Sequence, residues 1–235
     1  MSKPNDILVL LAAGFARRMQ KVVDDKITVT LLDKPVFFYS LNAFYTTGKI
    51  ERVIITYRDQ EQLAKIQNAY AGFNFPNWKV EYILGGQSRQ ESVLAALESC
   101  AEHQGLVHIH DGARPLITPA AINLVRTQAL KSGAAILAGR AADTIKIAQK
   151  SSNAVEASPD RSLVWTAETP QVFRTSIILK AYRNVKNTGV KVTDDSSAVA
   201  ALGQEVSLVE NTDVNIKLTR PSDFTIAEAI LKSRC

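Results

Sequence analysis

Residues 8–20 read LVLLAAGFARRMQ, and the character of the chain changes abruptly within them. With Asp6 and Ile7 in front, DILVLLA is apolar at successive positions, the pattern of a strand buried on both faces. Ala12, Ala13 and Gly14 then remove the side chains, and Arg17 and Arg18 deliver two guanidinium groups. Similar apolar runs recur as RVIITY (52–57), KVEYIL (79–84), LVHIH (106–110) and AAILAG (134–139). Helix start signals fall between and after them. Ser88 with Glu91 three residues later reads as a capping box, with Val93, Leu97 and Cys100 following at helical spacing. Thr118 before Pro119 reads as an N-cap with proline in the first turn, and Ile122, Val125 and Ala129 line one face. Pro221 opens a last helix whose Phe224, Ala227 and Leu231 face inward. Strands alternating with helices predict parallel βαβ units and an α/β, three-layer sandwich.

The totals agree with one domain over residues 1–235, long enough to bury a full core. Hydrophobic residues make up 46% and charged residues 22%, ordinary for a globular chain, and no run approaches the roughly 20 apolar residues of a membrane span. Asp6 before the first apolar run and Arg17-Arg18 after it argue against a secretory signal, so a cytoplasmic location is expected. Cys100 and Cys235 stand far apart and form no disulfide framework or CxxC pair. His108 and His110 share a strand face, but without a third carboxylate or thiol motif they make no metal site. The net charge of +5 comes without a dense Lys/Arg run. It is read as serving a polyanionic small substrate, with no nucleic-acid and no membrane partner.

Parallel sheets bind ligands beyond the carboxyl ends of their strands. Ala12-Ala13-Gly14 sits at such an end, where missing side chains let a ligand approach the backbone. GxGxxG, GxxxxGK[ST] and GxSxG are all absent, leaving a small-residue turn plus cations as the phosphate site. Arg17, Arg18, Lys21 and Lys26 supply the cations. LGGQSRQES (84–92) repeats the design with Gly85-Gly86 exposing backbone and Ser88 or Ser92 offering a hydroxyl. HIHDGARP (108–115) ends its strand with Asp111, Gly112 and Arg114; the acid suits a sugar hydroxyl, a metal–phosphate complex or a plain turn cap. Asp143, Thr144, Lys146, Arg161, Thr169, Thr193, Asp194, Asp195 and Lys217 follow in short polar motifs. The stretch of about 143–172 fits no helix period and reads as a projecting β-arm, a dimer contact.

Taken in order, LAAGFARRM, GGQSRQESV, HDGARP, DTIK, TPQVF, VTDDSSAVAALG and NIKLTRPSD resemble the 2-C-methyl-D-erythritol 4-phosphate cytidylyltransferases over about residues 6–231. The resemblance implies a mostly parallel, Rossmann-like sheet, a homodimer built through the arm, and transfer of CMP from CTP to a sugar-alcohol phosphate. Mg²⁺ would be bound mainly through the CTP phosphates. It further implies that Arg18, Lys26 and Lys217 are catalytic, and that Leu11, Ala12, Ala13, Gly14, Gly86, Gln87, Ser92, Asp111 and Gly112 bind the nucleotide. Arg114, Thr144, Arg161, Thr169 and Thr193 would surround the sugar-alcohol phosphate. The chain departs from the family pattern where Leu11 replaces proline and where DDKITVT shifts Lys26 by one residue, so either Lys26 or Lys21 serves the triphosphate. Two rivals stand beside this reading: a cytidylyltransferase for another polyol phosphate such as ribitol 5-phosphate, and a nucleotide- or nucleic-acid-binding module without chemistry.

Overall fold

The N-terminal apolar run forms a central strand of the sheet. The computed structural model describes residues 6–14 and 25–234. In chain order its elements are β1 (Asp6–Leu11), β2 (Thr30–Leu31), β3 (Lys34–Pro35), α1 (Val36–Thr46), β4 (Ile50–Tyr57), α2 (Gln60–Ala71) and β5 (Lys79–Leu84). Then come α3 (Arg89–Ser99), β6 (Leu106–Asp111), α4 (Pro119–Ser132), β7 (Ala134–Arg140), β8 (Ile147–Ala148), β9 (Val155–Ala157) and β10 (Trp165–Arg174). The chain finishes with α5 (Thr175–Thr188), α6 (Asp195–Ala200), β11 (Ser207–Glu210) and α7 (Pro221–Ser233). Among the described residues no helix is long and apolar enough to cross a membrane.

Among the described residues the main sheet has seven strands, in the order β11-β7-β10-β6-β1-β4-β5. β1 pairs in parallel with β4 and β6, and β5 and β11 extend the parallel pairing at the two edges. Alternation along β1 sends Ile7 and Val9 to one face, against Val93 and Leu97 of α3 and Ile178 and Val185 of α5. Leu8 and Leu10 go to the other, against Phe37, Leu41 and Phe44 of α1 and Ile122 of α4. Both faces are thus covered by helices, giving the expected three layers. Each such fully buried aliphatic side chain contributes about 1.5–3 kcal/mol. β1 stops at Leu11, one residue short of the expected Ala12, because the Ala12 N–H turns to Thr56 Oγ1 (3.1 Å).

Two expectations need correction. The 143–172 stretch is an arm only in part: β8 and β9 form a small exposed antiparallel hairpin, whereas Trp165–Arg174 enters the main sheet. β10 runs antiparallel between β6 and β7, its Val172 and Phe173 fully buried, because a gap between two parallel strands hides apolar side chains better than an arm does. The Ser88–Glu91 capping box forms by half. Ser88 Oγ accepts from Glu91 N (3.1 Å), but the Glu91 carboxylate accepts from Gln87 N (2.6 Å) instead of the cap residue.

Candidate active site

The carboxyl ends of β1, β4, β5 and β6 open on a cleft of about 360 Å³. Leu11, Ala12, Ala13, Gly14, Lys26, Gly86, Gln87, Ser92, Asp111 and Lys217 all line it, joined by Thr56, Ser88 and Arg89. A larger groove of about 880 Å³ between α3 and α5 shares only Ser88 and Arg89 with this cleft and contains no strand end. Arg18, Arg17 and Lys21 lie outside the described residues.

One wall is the turn from β5 into α3, and nearly every polar group in it is engaged. Gly85 N donates to the Tyr57 carbonyl (2.7 Å) and Gly86 N to Ser92 Oγ (3.1 Å). Ser92 Oγ donates in turn to the Ser88 carbonyl (2.9 Å), so this hydroxyl shapes the loop instead of pointing freely at a ligand. A Cβ on Gly85 would stand 2.7 Å from the Ala13 Cβ, and one on Gly86 only 2.2 Å from the Glu91 Cβ. Both glycines therefore exist for close approach. Opposite them, Gln62 Nε2 donates to the Ala12 carbonyl (3.0 Å), which leaves Ala12 pinned on both sides of its peptide.

The floor is Asp111, at the last position of β6. Lys217 Nζ lies 2.7 Å from its carboxylate, Arg89 Nε 3.6 Å and Arg114 Nε 3.8 Å. Burial works against the charge on Asp111, but Lys217, Arg89 and Arg114 outweigh it and hold the carboxyl well below the usual range. Lys26 Nζ donates to the Leu218 carbonyl (3.2 Å), which brings it to the same side. Three cations thus converge on one cleft-lining carboxylate, and Lys26 lines the same cleft, an arrangement that attracts a polyanion. Gly112 N donates to the Leu11 carbonyl (3.0 Å), and a Cβ there would sit 3.1 Å from that oxygen, so Gly112 joins the ends of β1 and β6.

Behind the floor the polar groups are paired. The Asp111 N–H donates to Thr169 Oγ1 (3.1 Å), and Thr169 Oγ1 lies 3.0 Å from His110 Nδ1. His110 Nε2 faces the Arg114 carbonyl at 3.3 Å, which makes Nε2 the protonated nitrogen and Nδ1 the acceptor. Burial pushes His110 down to about 3, so it is neutral and serves as a brace. Arg114 joins the floor to the segment beyond it, with Nη1 donating to the Asn215 carbonyl (2.6 Å) and Nε, buried without a hydrogen-bond partner, facing Asp111 at 3.8 Å. The remaining expected residues stand apart from the cleft. Thr144 and Arg161 are exposed near the base of the hairpin, where Arg161 Nη1 donates to the Ala142 carbonyl (2.8 Å). Thr193 is exposed just before α6.

Sequence reasoning missed Arg89. Its guanidinium holds both oxygens of the fully buried Asp195 (2.9 and 2.7 Å) while facing Asp111, and Asp195 also accepts from the Tyr182 hydroxyl. Arg89 stands inside a motif that the sequence singles out, but no local signal marks its partner far along the chain.

The family model "IspD: 2-C-methyl-D-erythritol 4-phosphate cytidylyltransferase" matches residues 7–233. A protein of that name from Clostridioides difficile is 34% identical over 95% of this chain and 92% of its own. Another, from Desulforamulus reducens, is 36% identical over 98% of this chain and 97% of its own. The crystal structure of 4-diphosphocytidyl-2C-methyl-D-erythritol synthase from Anaerococcus prevotii superposes with a TM-score of 0.85, at 23% identity, covering 98% of this chain and all of that one, which supports the fold.

Proposed function

The chain belongs to the 2-C-methyl-D-erythritol 4-phosphate cytidylyltransferase family, and on that premise we propose how its residues divide the work. It is a nucleotidyltransferase that transfers CMP from CTP to 2-C-methyl-D-erythritol 4-phosphate and releases pyrophosphate, a step of isoprenoid precursor synthesis. The observation that carries the residue assignment is the Asp111 carboxylate at a strand end, ringed by Lys217, Arg89 and Arg114 and facing a glycine turn.

A phosphate oxygen of the sugar alcohol attacks the α-phosphorus of CTP in line, and pyrophosphate leaves with the bonding electron pair. The nucleophile is already anionic, so no general base is needed, in keeping with a buried, neutral His110. Catalysis then rests on positioning and charge stabilisation. Ala13, Gly14, Gly86 and Gln87 form the wall for the cytidine nucleotide, with Leu11, Ala12, Ser92 and Gly112 holding that wall in shape. Lys26 and Lys217 neutralise the triphosphate from opposite directions in sequence. Arg18, assigned by resemblance, would join them.

Asp111 fits the role of protein ligand to Mg²⁺. It is ionised and it lines the cleft, and the described residues hold no group of three or more His, Cys, Asp or Glu placed to bind a metal ion, so phosphate oxygens would complete the shell. Bound there, Mg²⁺ supplies Lewis-acid stabilisation of the phosphate charge. Arg114 holds the sugar-alcohol phosphate with Thr193, its buried Nε facing Asp111 but making no hydrogen bond and so keeping a donor for that anion, while Thr169 acts through Asp111 and His110. Ile147, Val155 and Leu163 expose large apolar side chains along the hairpin region, which supports a homodimer in which one subunit's arm brings Thr144 and Arg161 to its partner's site. We read the enzyme as cytoplasmic.

The relatives bear the methylerythritol name, so the ribitol 5-phosphate alternative is not favoured. Pyrophosphate release from CTP and Mg²⁺, measured with methylerythritol 4-phosphate and ribitol 5-phosphate in parallel, tests the reading. Release with the first is expected; release with the second alone would overturn the substrate.

A further inference from the structure

Residues 211–217 run past Arg114 with neither helix nor strand geometry. The segment is tied to the fold at its ends, by Asn211 N to the Ala138 carbonyl and Leu218 N to the Ala113 carbonyl, both 2.8 Å. Between these ties Asn215 is buried, 4% exposed. Its Nδ2 donates to Glu168 Oε2 (2.9 Å) and to the Thr169 carbonyl (3.0 Å). Glu168 Oε2 also accepts from Asn211 Nδ2 (2.9 Å). The Asn215 carbonyl receives the Arg114 guanidinium at 2.6 Å.

We infer that Asn215, held by Glu168, is a positioning residue that sets the Arg114 guanidinium for the phosphate of the sugar alcohol. The inference rests on the role given to Arg114 above. Arg114 is poorly hydrated, so the direction of its fork is decided by fixed acceptors, and a backbone carbonyl in an irregular segment is fixed only as well as that segment is anchored. The anchor here is a side-chain amide shared between a carboxylate and a carbonyl. The Glu168 charge also favours the Arg114 cation, so it acts on that group twice, through Asn215 and through the field. Lys217, two residues further on, has its own hold through Asp111 and through the Leu218 tie. Loosening Asn215 therefore disturbs one substrate more than the other. CTP contacts stay, and the grip on the sugar-alcohol phosphate slackens.

Steady-state pyrophosphate release by the full chain provides the test. Asn215→Ala and Glu168→Ala should each raise KM for methylerythritol phosphate on the order of tenfold, the worth of one misdirected charge-assisted hydrogen bond, with KM for CTP within about twofold. Glu168→Gln, which keeps an acceptor oxygen but loses the charge, should fall between the parent and Glu168→Ala. An unchanged KM for the sugar-alcohol phosphate, equal rises for both substrates, or a Gln variant as impaired as Ala overturns the inference. If Asn215→Ala does not fold, Glu168→Ala decides alone. A parent chain that turns over neither polyol phosphate would overturn the functional reading itself, whereas a working parent with indifferent variants sinks only the role of Asn215.

Discussion

Gly86→Ala tests whether the β5–α3 turn is the nucleotide wall. The added Cβ would lie 2.2 Å from the Glu91 Cβ, against 3.4 Å for ordinary contact, so about 1.2 Å must be recovered. Glu91 cannot yield it, because its Cβ is fixed to the first turn of α3 and its carboxylate already holds Gln87 N. The loop moves instead, and the Gly86 N to Ser92 Oγ bond moves with it. A misplacement of about 1 Å at a substrate-positioning element costs about 10²-fold, or some 2.7 kcal/mol of transition-state binding. Initial rates of pyrophosphate release against CTP concentration should therefore show kcat/KM for CTP reduced about a hundredfold. Gly72→Ala is the control, since its new Cβ meets the Ala69 carbonyl at an ordinary 3.5 Å, and it should match the parent. A Gly86→Ala enzyme with unaltered kcat/KM for CTP would refute the steric argument and the assignment of the wall.

Asp195→Ala leaves the Arg89 guanidinium without its bidentate partner and the Tyr182 hydroxyl without an acceptor. Urea unfolding should show a loss of about 3 kcal/mol, and a loss under about 1 kcal/mol would mean that Asp111 and solvent suffice for Arg89. His110 makes acid stability a reporter of the brace behind Asp111. Its folded value of about 3 lies below its ordinary 6.5, so the unfolded chain binds the extra proton first and stability falls as pH drops from 6.5 toward 3. Between pH 6.5 and 5 this residue should remove roughly 2 kcal/mol from the unfolding free energy. His110→Gln should flatten that slope relative to the parent, and parallel slopes would show that His110 is not held neutral.

Much of this molecule is legible along the chain because it is local. The β1 run, the Ser88 and Thr118 caps and Gly86 depend on neighbours within a few residues, and each appears within a residue of where the pattern puts it. The strand-end rule then led from Ala12-Ala13-Gly14 to the cleft without any knowledge of its other walls. The polar stretch after Ala148 is decided by distant partners. Its second half alternates like an edge or arm strand, and only the vacant position between β6 and β7 makes it a buried member of the sheet.

By itself, then, the sequence determined the layers, the strand ends and the small-residue turns, since periodicity, capping and the absence of a Cβ act within one or two turns of chain. The tertiary structure decided which charges meet. Arg89 with Asp195, Asp111 with Lys217, and Asn215 with Glu168 are joined across 106, 106 and 47 positions. Such pairs follow from strand order and helix placement. A buried charge or amide finds its partner only where the sheet has already brought the two backbones together.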